Sequence, residues 1–190
     1  MKKLLSIKNI KLGFIHSFSI FNPSCVNRPC FKHCYMNKLK RLYPALSKKM
    51  IYNYDISLRK DFKDILKREL EDSTDIIRLH VDGDFYNQRY LNDIIQIVKS
   101  YPQKTFYTYT KSYNLDFSKR PKNLIVYISD NSGRLKKQYK RFDGVARVSF
   151  DRKKIKGFIQ CPHDNDKNIT CNKCRLCSKR NKKVYFNLRR

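Results

Sequence analysis

The chain has 190 residues and a formal charge of +27, because 43 Lys and Arg face only 16 Asp and Glu. Its 41% apolar and 13% aromatic residues exclude a disordered basic tail. The length is typical of one domain that buries a core without cross-links. Such a positive charge attracts polyanions and predicts nucleic acid, DNA or RNA, as the partner.

The chain carries no recognisable targeting or membrane segment. No run approaches the roughly 18 to 20 apolar residues of a membrane span. Near the start, Lys8 and Lys11 interrupt the apolar residues, and no small-residue cleavage site follows. We therefore expect a cytoplasmic protein without a membrane partner. Thiols stay reduced in that compartment, so the seven cysteines are expected to bind metal rather than form disulfides.

The first third of the chain predicts strand, loop and helix in turn. Residues 4–21 are rich in branched and aromatic side chains with polar residues between them, which indicates one or two strands. Residues 35–50 read as helical up to Pro44, which breaks or kinks the helix. Ser57 is then a candidate N-cap for a helix that reaches Leu70 and has one apolar face.

The middle of the chain alternates strands with helices. This alternation predicts right-handed βαβ units and a mostly parallel sheet, with the reactive loops at the carboxyl ends of the strands. From Asp151 onward basic residues dominate, so we divide the chain into an α/β core (1–150) and a Cys-rich, basic, metal-binding appendage (151–190). The predicted strands are 75–82, 104–110, 124–129 and 144–150, and the predicted helices are 86–101 and a short basic one at 134–141.

Four cysteines near the end of the chain have the spacing of metal ligands. Cys171, Cys174 and Cys177 are each separated by two residues, and Cys161 lies ten residues before them. Bacterial ferredoxins hold a [4Fe–4S] cluster with the same opening, whereas structural zinc usually takes two separated pairs. We predict an iron–sulfur cluster here, with zinc as the alternative.

Three further cysteines follow the first predicted strand. Cys25, Cys30 and Cys34 lie on a loop that contains Pro29. Three thiolates without an obvious fourth ligand suggest a [4Fe–4S] cluster whose remaining iron is open to a small molecule. The alternatives are a zinc site completed by His33 and ordinary buried thiols.

Acidic residues follow the strand at 75–82. His80, Asp82 and Asp84 are candidate catalytic residues there, and Gly83 lets the backbone approach a ligand closely. The two carboxylates suit a ligand amine or Mg²⁺. The alternative is a turn in which Asp84 caps the next helix.

The end of the next predicted strand should border the same rim. Thr108 and Thr110 are candidate cofactor-binding residues together with Asp82, Gly83 and Asp84, and Lys111 is a further catalytic candidate. Parallel strands bring their carboxyl ends together, which is why these polar side chains are expected to meet.

Basic residues with aromatic neighbours recur in three runs. Cations of this kind bind phosphates while nearby rings stack on bases; the alternative is that each run is only a solvated helix face. The predicted nucleic-acid contacts are Lys38, Arg41, Arg134, Lys136, Lys137, Lys140, Arg141, Lys182 and Lys183.

The order of these features resembles the beginning of a radical SAM core. That resemblance rests on a strand, a three-cysteine loop ending at Cys34, a helix, and a strand that ends in Gly and acidic residues. It implies a truncated, partial (β/α) barrel. It also implies a cluster on Cys25, Cys30 and Cys34 that binds S-adenosylmethionine, whose amino group would meet Asp82 to Asp84.

The whole chain also resembles an uncharacterised family of phage and plasmid proteins. The shared features are Ser17-Phe18-Ser19, the strand end at 80–85, Tyr109-Thr110-Lys111 and the terminal cysteine group. The leading hypothesis is an iron–sulfur, radical SAM-like protein that acts on or binds nucleic acid or a nucleotide. The alternatives are a non-enzymatic nucleic-acid-binding protein and a nuclease whose metal is held by His80, Asp82 and Asp84.

Overall fold

Seven parallel strands form one sheet in the computed structural model, which describes residues 2–7, 9–23 and 34–188. The spatial order is β1-β2-β3-β4-β5-β7-β6, so β1 and β6 are the two edges. Every pairing is parallel, which confirms the predicted α/β fold. The strands are β1 (His16–Phe18), β2 (Ile76–Leu79), β3 (Thr105–Thr110), β4 (Leu124–Ser129), β5 (Gly144–Ser149), β6 (Ile159–Gln160) and β7 (Lys182–Asn187).

Six α-helices accompany the sheet in the described part of the chain. Pro44 begins a new helix rather than a kink, because its ring and missing N–H suit the first turn of a helix. The fourth helix begins after Asn87, whose side chain accepts a hydrogen bond from the Tyr90 N–H at 2.9 Å. The helices are α1 (Tyr35–Leu42), α2 (Pro44–Leu58), α3 (Phe62–Glu71), α4 (Gln88–Lys99), α5 (Pro162–Asn165) and α6 (Cys171–Cys174), with 3-10 helices at Lys136–Arg141 and Leu176–Ser178.

The two faces of the sheet are covered by different parts of the chain. On the first, which we call the helix face, α3 and α4 pack against the strands; Leu66, Leu91 and Phe106 there are at most 1% exposed. The second, which we call the thiol face, carries Tyr107 and Tyr127 and is covered by the segment that contains Cys161. The alternation of side chains along each strand separates the two sets.

The segment after residue 150 belongs to the same sheet. β7 pairs with β5 over six residues, from Gly144 opposite Lys182 to Ser149 opposite Asn187, and β6 pairs with the outer side of β7. A separate appendage is therefore not supported. The backbone N–H groups of Cys161 and Cys171 donate to Tyr185 and Lys11, which fixes this segment to the thiol face.

Two predictions for the amino-terminal third are wrong in detail. Among the described residues of the predicted span 4–21, the one strand is His16–Phe18. Ser57 is not an N-cap, because it lies inside α2 and donates to the Tyr54 carbonyl at 2.6 Å. In the part of the chain that the structure describes, every helix is too short or too polar to cross a membrane.

Candidate functional site

A cavity of about 500 Å³ opens on the thiol face. The sheet supplies Arg78, Tyr107 and Tyr109, while α1 and α2 supply apolar and amide side chains such as Met50 and Asn53. The carboxyl ends of several strands border it, through Ser19, Asp82, Ser129 and Asn187. We call it the sheet cavity. Its position matches the expectation that ligands bind beyond the carboxyl ends of parallel strands.

All four carboxyl-terminal cysteines border the sheet cavity. Cys161 follows β6, Cys171 and Cys174 begin and end α6, and Cys177 lies in the 3-10 helix after it. Cys161 and Cys171 are ten residues apart in the sequence, and the fold brings both to the wall of the sheet cavity. The described cysteines, which include Cys34, are free thiols.

Burial raises the pKa of two of these thiols. It raises the pKa of Cys177 to about 12, although Tyr109 and Arg78 beside it act in the opposite direction. Burial likewise raises the pKa of Cys171, against the lowering effects of Lys11 and Arg78. The charge of Cys161 also raises the pKa of Cys171 and of Cys177, and the charge of Cys171 raises that of Cys177, so the three thiols lie within electrostatic range of each other.

The thiols do not form a closed ligand set. Within residues 2–7, 9–23 and 34–188, no group of three or more His, Cys, Asp or Glu side chains is arranged to hold a metal ion. The four cysteines share a cavity wall rather than a coordination sphere. Of the amino-terminal group, Cys34 immediately precedes α1, and Cys25 and Cys30 lie outside the described residues.

Arg78 lies against two tyrosine rings in the floor of the sheet cavity. Its guanidinium carbon is 4.0 Å from the centroid of Tyr109 and 5.1 Å from that of Tyr107. One terminal nitrogen donates to the His80 carbonyl at 3.2 Å. Stacking and this hydrogen bond fix the cation in place, because a planar guanidinium pairs well with aromatic faces.

The buried polar atoms of the cavity wall that have no hydrogen-bond partner among the described residues include the Asn53 Oδ1, the Tyr107 hydroxyl and the Asn187 Oδ1. The Tyr107 hydroxyl faces the Cys171 thiol and lowers its pKa, and it makes no hydrogen bond to a nitrogen or oxygen atom of the described residues. Buried polar atoms are normally paired, so their presence in one cavity indicates an unfilled binding site.

His80 lies on the helix face, away from the sheet cavity. Its Nε2 is 2.8 Å from the Tyr90 hydroxyl and its Nδ1 is 3.4 Å from Thr108 Oγ1. The side chain is 2% exposed, and burial lowers its pKa to about 3, with a smaller contribution from Arg78. The structure thus makes His80 a neutral packing residue.

Asp82 and Asp84 point to different places. Asp84 is buried and ties two strand ends together, accepting from Thr110 Oγ1 at 2.6 Å and from the Lys111 N–H at 2.7 Å. Asp82 borders the sheet cavity, where its Oδ2 lies 2.8 Å from Lys40 Nζ of α1. His80, Asp82 and Asp84 therefore do not converge on one ion, and the geometry does not favour the nuclease hypothesis.

The backbone conformation and close packing at position 83 require glycine. Its φ is +90°, and a Cβ at this position would lie 2.3 Å from the Ile20 carbonyl oxygen. The close approach that the sequence attributes to a ligand is made by the backbone after β1. Of the remaining candidates, Thr108 and Thr110 are buried among helix-face contacts, and Lys111 Nζ donates to Ser129 Oγ at 3.1 Å.

The predicted nucleic-acid contacts lie on separate elements. Arg41 is exposed on α1, where nothing is described of the Lys38 side chain. Arg141 is exposed but donates to the carbonyls of Tyr113 and Leu115 at 3.1 Å, so it also holds a loop. Lys182 is half-buried at the start of β7, and the fully exposed members are Arg134, Lys136, Lys137, Lys140 and Lys183.

Comparison with known proteins gives a family. A family model described as Gene product 88 matches residues 21–183. The chain belongs to the Gene product 88 family. It is 24% identical over 186 residues to the Gene 88 protein of Mycobacterium phage L5 and 21% identical over 187 residues to that of Mycobacterium phage D29. Each alignment covers 83% of this chain and 78% of the relative.

The predicted resemblance to a family of phage proteins is confirmed. No solved structure matches the chain, and the names of the phage relatives state no reaction. The match to the Gene product 88 family begins three residues after β1 and includes α1, α2 and the four carboxyl-terminal cysteines. Most residues that line the sheet cavity, including Arg78, Tyr107 and the four cysteines, therefore lie in the part of the chain that the family shares.

The main cavity residues that sequence reasoning missed are Arg78, Tyr107 and Asn53. Arg78 could have been found from the sequence, because it is the single cation among the apolar residues Ile76, Ile77 and Leu79 of a buried strand. Tyr107 alternates with Thr108 along β3, but the sequence does not say which face is open. Asn53 lies in a helix whose pattern gives no sign of it.

Proposed function

We propose that the protein binds a metal centre through its cysteines and uses the sheet cavity beside it for chemistry on a nucleotide or on nucleic acid. The observation that carries the proposal is that Cys161, Cys171, Cys174 and Cys177 border one cavity together with Arg78. Four thiols provide the donor set of a [4Fe–4S] cluster, or of zinc as the alternative.

The present arrangement of the thiols is not a ligand set, so metal binding must draw them together. Metal binding commonly supplies part of the folding free energy of short Cys-rich segments. α6 contains only four residues, and it is followed at once by Arg175 in a left-handed conformation with φ of 51°. We infer that this short segment adjusts when metal replaces the thiol protons.

A truncated radical SAM-like enzyme is the specific version of this proposal. Two observations support it. Cys34, the last of the three amino-terminal cysteines, directly precedes α1. Lys40 of α1 pairs with Asp82 at the cavity rim. Cys34 therefore adjoins a helix that borders the sheet cavity. A cluster with one open iron supplies reductive cleavage of S-adenosylmethionine, and Asp82 is the member of the predicted methionine-binding edge that remains available to a ligand amine.

Anaerobic reconstitution with ferrous iron and sulfide tests the proposal. We expect a brown protein with about four iron atoms per cluster, and 5′-deoxyadenosine when S-adenosylmethionine and dithionite are added. The double variant C171S/C177S should lose the carboxyl-terminal cluster, and C25S/C30S should lose the other. Ser178→Ala, which changes a cavity neighbour of Cys177 by one oxygen, is the matched control and should keep the full iron content.

The outcomes separate the versions. Bound iron without deoxyadenosine, together with oligonucleotide binding that weakens steeply with salt, would favour a non-enzymatic nucleic-acid-binding protein. The exposed cations Arg134, Lys136, Lys137 and Lys140 on one short segment support that second candidate. A colourless protein that holds only zinc would eliminate the radical SAM-like version, and one without any metal would eliminate the proposal.

A further inference from the structure

One end of the sheet cavity carries side-chain groups that suit the binding of an anion. The Arg78 guanidinium is stacked on Tyr109 and Tyr107 and donates to the His80 carbonyl. The buried hydroxyl of Tyr107 lies within electrostatic range of it and, apart from its contact with the Cys171 thiol, has no hydrogen-bond partner in the described chain. A fixed guanidinium beside an O–H donor suits a phosphate or a carboxylate, since charge-assisted hydrogen bonds to such groups are strong and directional.

The other end presents an acceptor. Asn53 is 1% exposed, and its Nδ2 donates to the Leu4 carbonyl at 3.0 Å and to the Ser19 carbonyl at 2.8 Å. Because the amide nitrogen is used by two carbonyls, the remaining atom is the oxygen, which lacks a donor among the described residues. A buried acceptor without a donor costs about 1–3 kcal/mol, so a ligand N–H would be bound favourably there.

Arg78 and Asn53 adjoin different positions of the segment that contains β1. Arg78 is paired in register with Ser17 of β1, whereas Asn53 binds the carbonyl of Ser19, two residues further along. Two residues of extended chain span about 7 Å. Free phosphate or ammonium fills one end only, and a molecule that satisfies both ends must carry the two groups on one frame.

The charge of the cavity wall favours an anionic ligand. Among its lining residues the sole carboxylate in the described chain is Asp82, which is paired with Lys40. The volume of about 500 Å³ lies within the usual range of about 300–1,000 Å³ for small-molecule sites. The cationic lining side chains are Lys11, Lys49, Arg78, Arg147 and Arg175.

We infer that the sheet cavity binds a nucleoside monophosphate with an amino base, whose phosphate meets Arg78 and Tyr107 and whose amine meets Asn53. The inference deepens the proposed function by naming the ligand class of the same cavity, and it rests on that function for the cavity's role. It does not require the metal centre. Metal-free protein should therefore bind the ligand, which makes the two ideas separable.

Calorimetric titration of metal-free protein tests the inference. We expect AMP and CMP to bind at least about 10-fold more tightly than ribose 5-phosphate, which lacks the base, or adenosine, which lacks the anion; a tenfold change corresponds to about 1.4 kcal/mol. Tyr107→Phe should weaken AMP binding about 5- to 10-fold without lowering the Tm. Tyr185→Phe is the matched control, because the Tyr185 hydroxyl already bonds to Gln160 at 3.0 Å.

Arg78→Gln should weaken AMP binding by about 10- to 100-fold, whereas Arg68→Gln, an equal loss of charge at an exposed position on α3, should leave it unchanged. Equal affinity of the wild type and both cavity variants for AMP would overturn the inference. So would the absence of binding by AMP and CMP at millimolar concentration. Iron incorporation in the same preparations reports on the proposed function, so an iron-containing protein that ignores nucleotides would remove this inference alone.

Discussion

The two faces of the sheet differ in how completely they are closed. On the helix face, α3 and α4 bury an apolar layer in which even the polar groups have partners, such as His80 with Tyr90 and Asp84 with Thr110. The thiol face is covered by short helices and turns that leave a cavity and unpartnered polar atoms. We therefore expect the stability of the fold to depend mainly on the helix face, and we propose the thiol face as the one that binds a ligand.

Matched leucines on the two faces give the largest test of this difference. Leu91 is fully buried under the helix layer, whereas Leu12 is 5% exposed and borders the sheet cavity. We expect Leu91→Ala to lower the free energy of unfolding by about 2–5 kcal/mol, and Leu12→Ala to fall at or below the low end of that range, because less packing is lost beside open space. Urea unfolding measures both. Equal losses would mean that the thiol face is packed as tightly as the helix face.

The two carboxylates after β2 give a smaller effect of the same kind. Asp84→Asn should cost about 1–3 kcal/mol, since an amide nitrogen would then face the donors of Thr110 or Lys111. Asp82→Asn should cost about 1 kcal/mol or less, because its pair with Lys40 is partly exposed. Thermal or urea unfolding of the two variants compares them. A greater loss for Asp82→Asn would reverse the roles that we assign to these residues.

The response to acid gives a test of the helix face that builds up gradually with pH. The pKa of His80 is about 3 in the folded chain and 6.5 in its unperturbed state, so below pH 6.5 the unfolded chain binds more protons. The free energy of unfolding should fall by up to about 1.4 kcal/mol per pH unit as pH decreases from 6.5 toward 3. His80→Asn, which suits the positive φ of 56° at this position, should give a shallower slope between pH 6.5 and 4.5. Parallel slopes for the two proteins would show that another group governs the acid response.

The central βαβ units could be predicted because their periodicity is strong. The strand predicted at 124–129 is β4 with the same bounds, and the helix predicted at 86–101 contains α4. In these segments one face is apolar over the whole element, and burial then decides the structure. The basic segment predicted at 134–141 is a 3-10 helix over Lys136–Arg141.

The missed elements lie where local pattern and tertiary context disagree. β7 begins with Lys182 and Lys183, which favour a solvated surface, and its apolar residues begin only at Val184. Its place between two strands depends on contacts with β5, some 40 residues earlier, which no local pattern reveals. Part of the site was missed for a similar reason, since Arg78 of β2, Tyr107 of β3 and Asn53 of α2 come from separate elements that meet only in the folded chain.

The interior position of β7 has a consequence for synthesis. Because β7 follows the other described strands in the chain and lies between β5 and β6, a nascent chain that has not yet released Lys182–Asn187 from the ribosome leaves one side of the β5 backbone unpaired. An unpaired edge of this kind attracts other extended chains. Completion of the sheet and protection of this edge from aggregation therefore depend on the release of the same six residues.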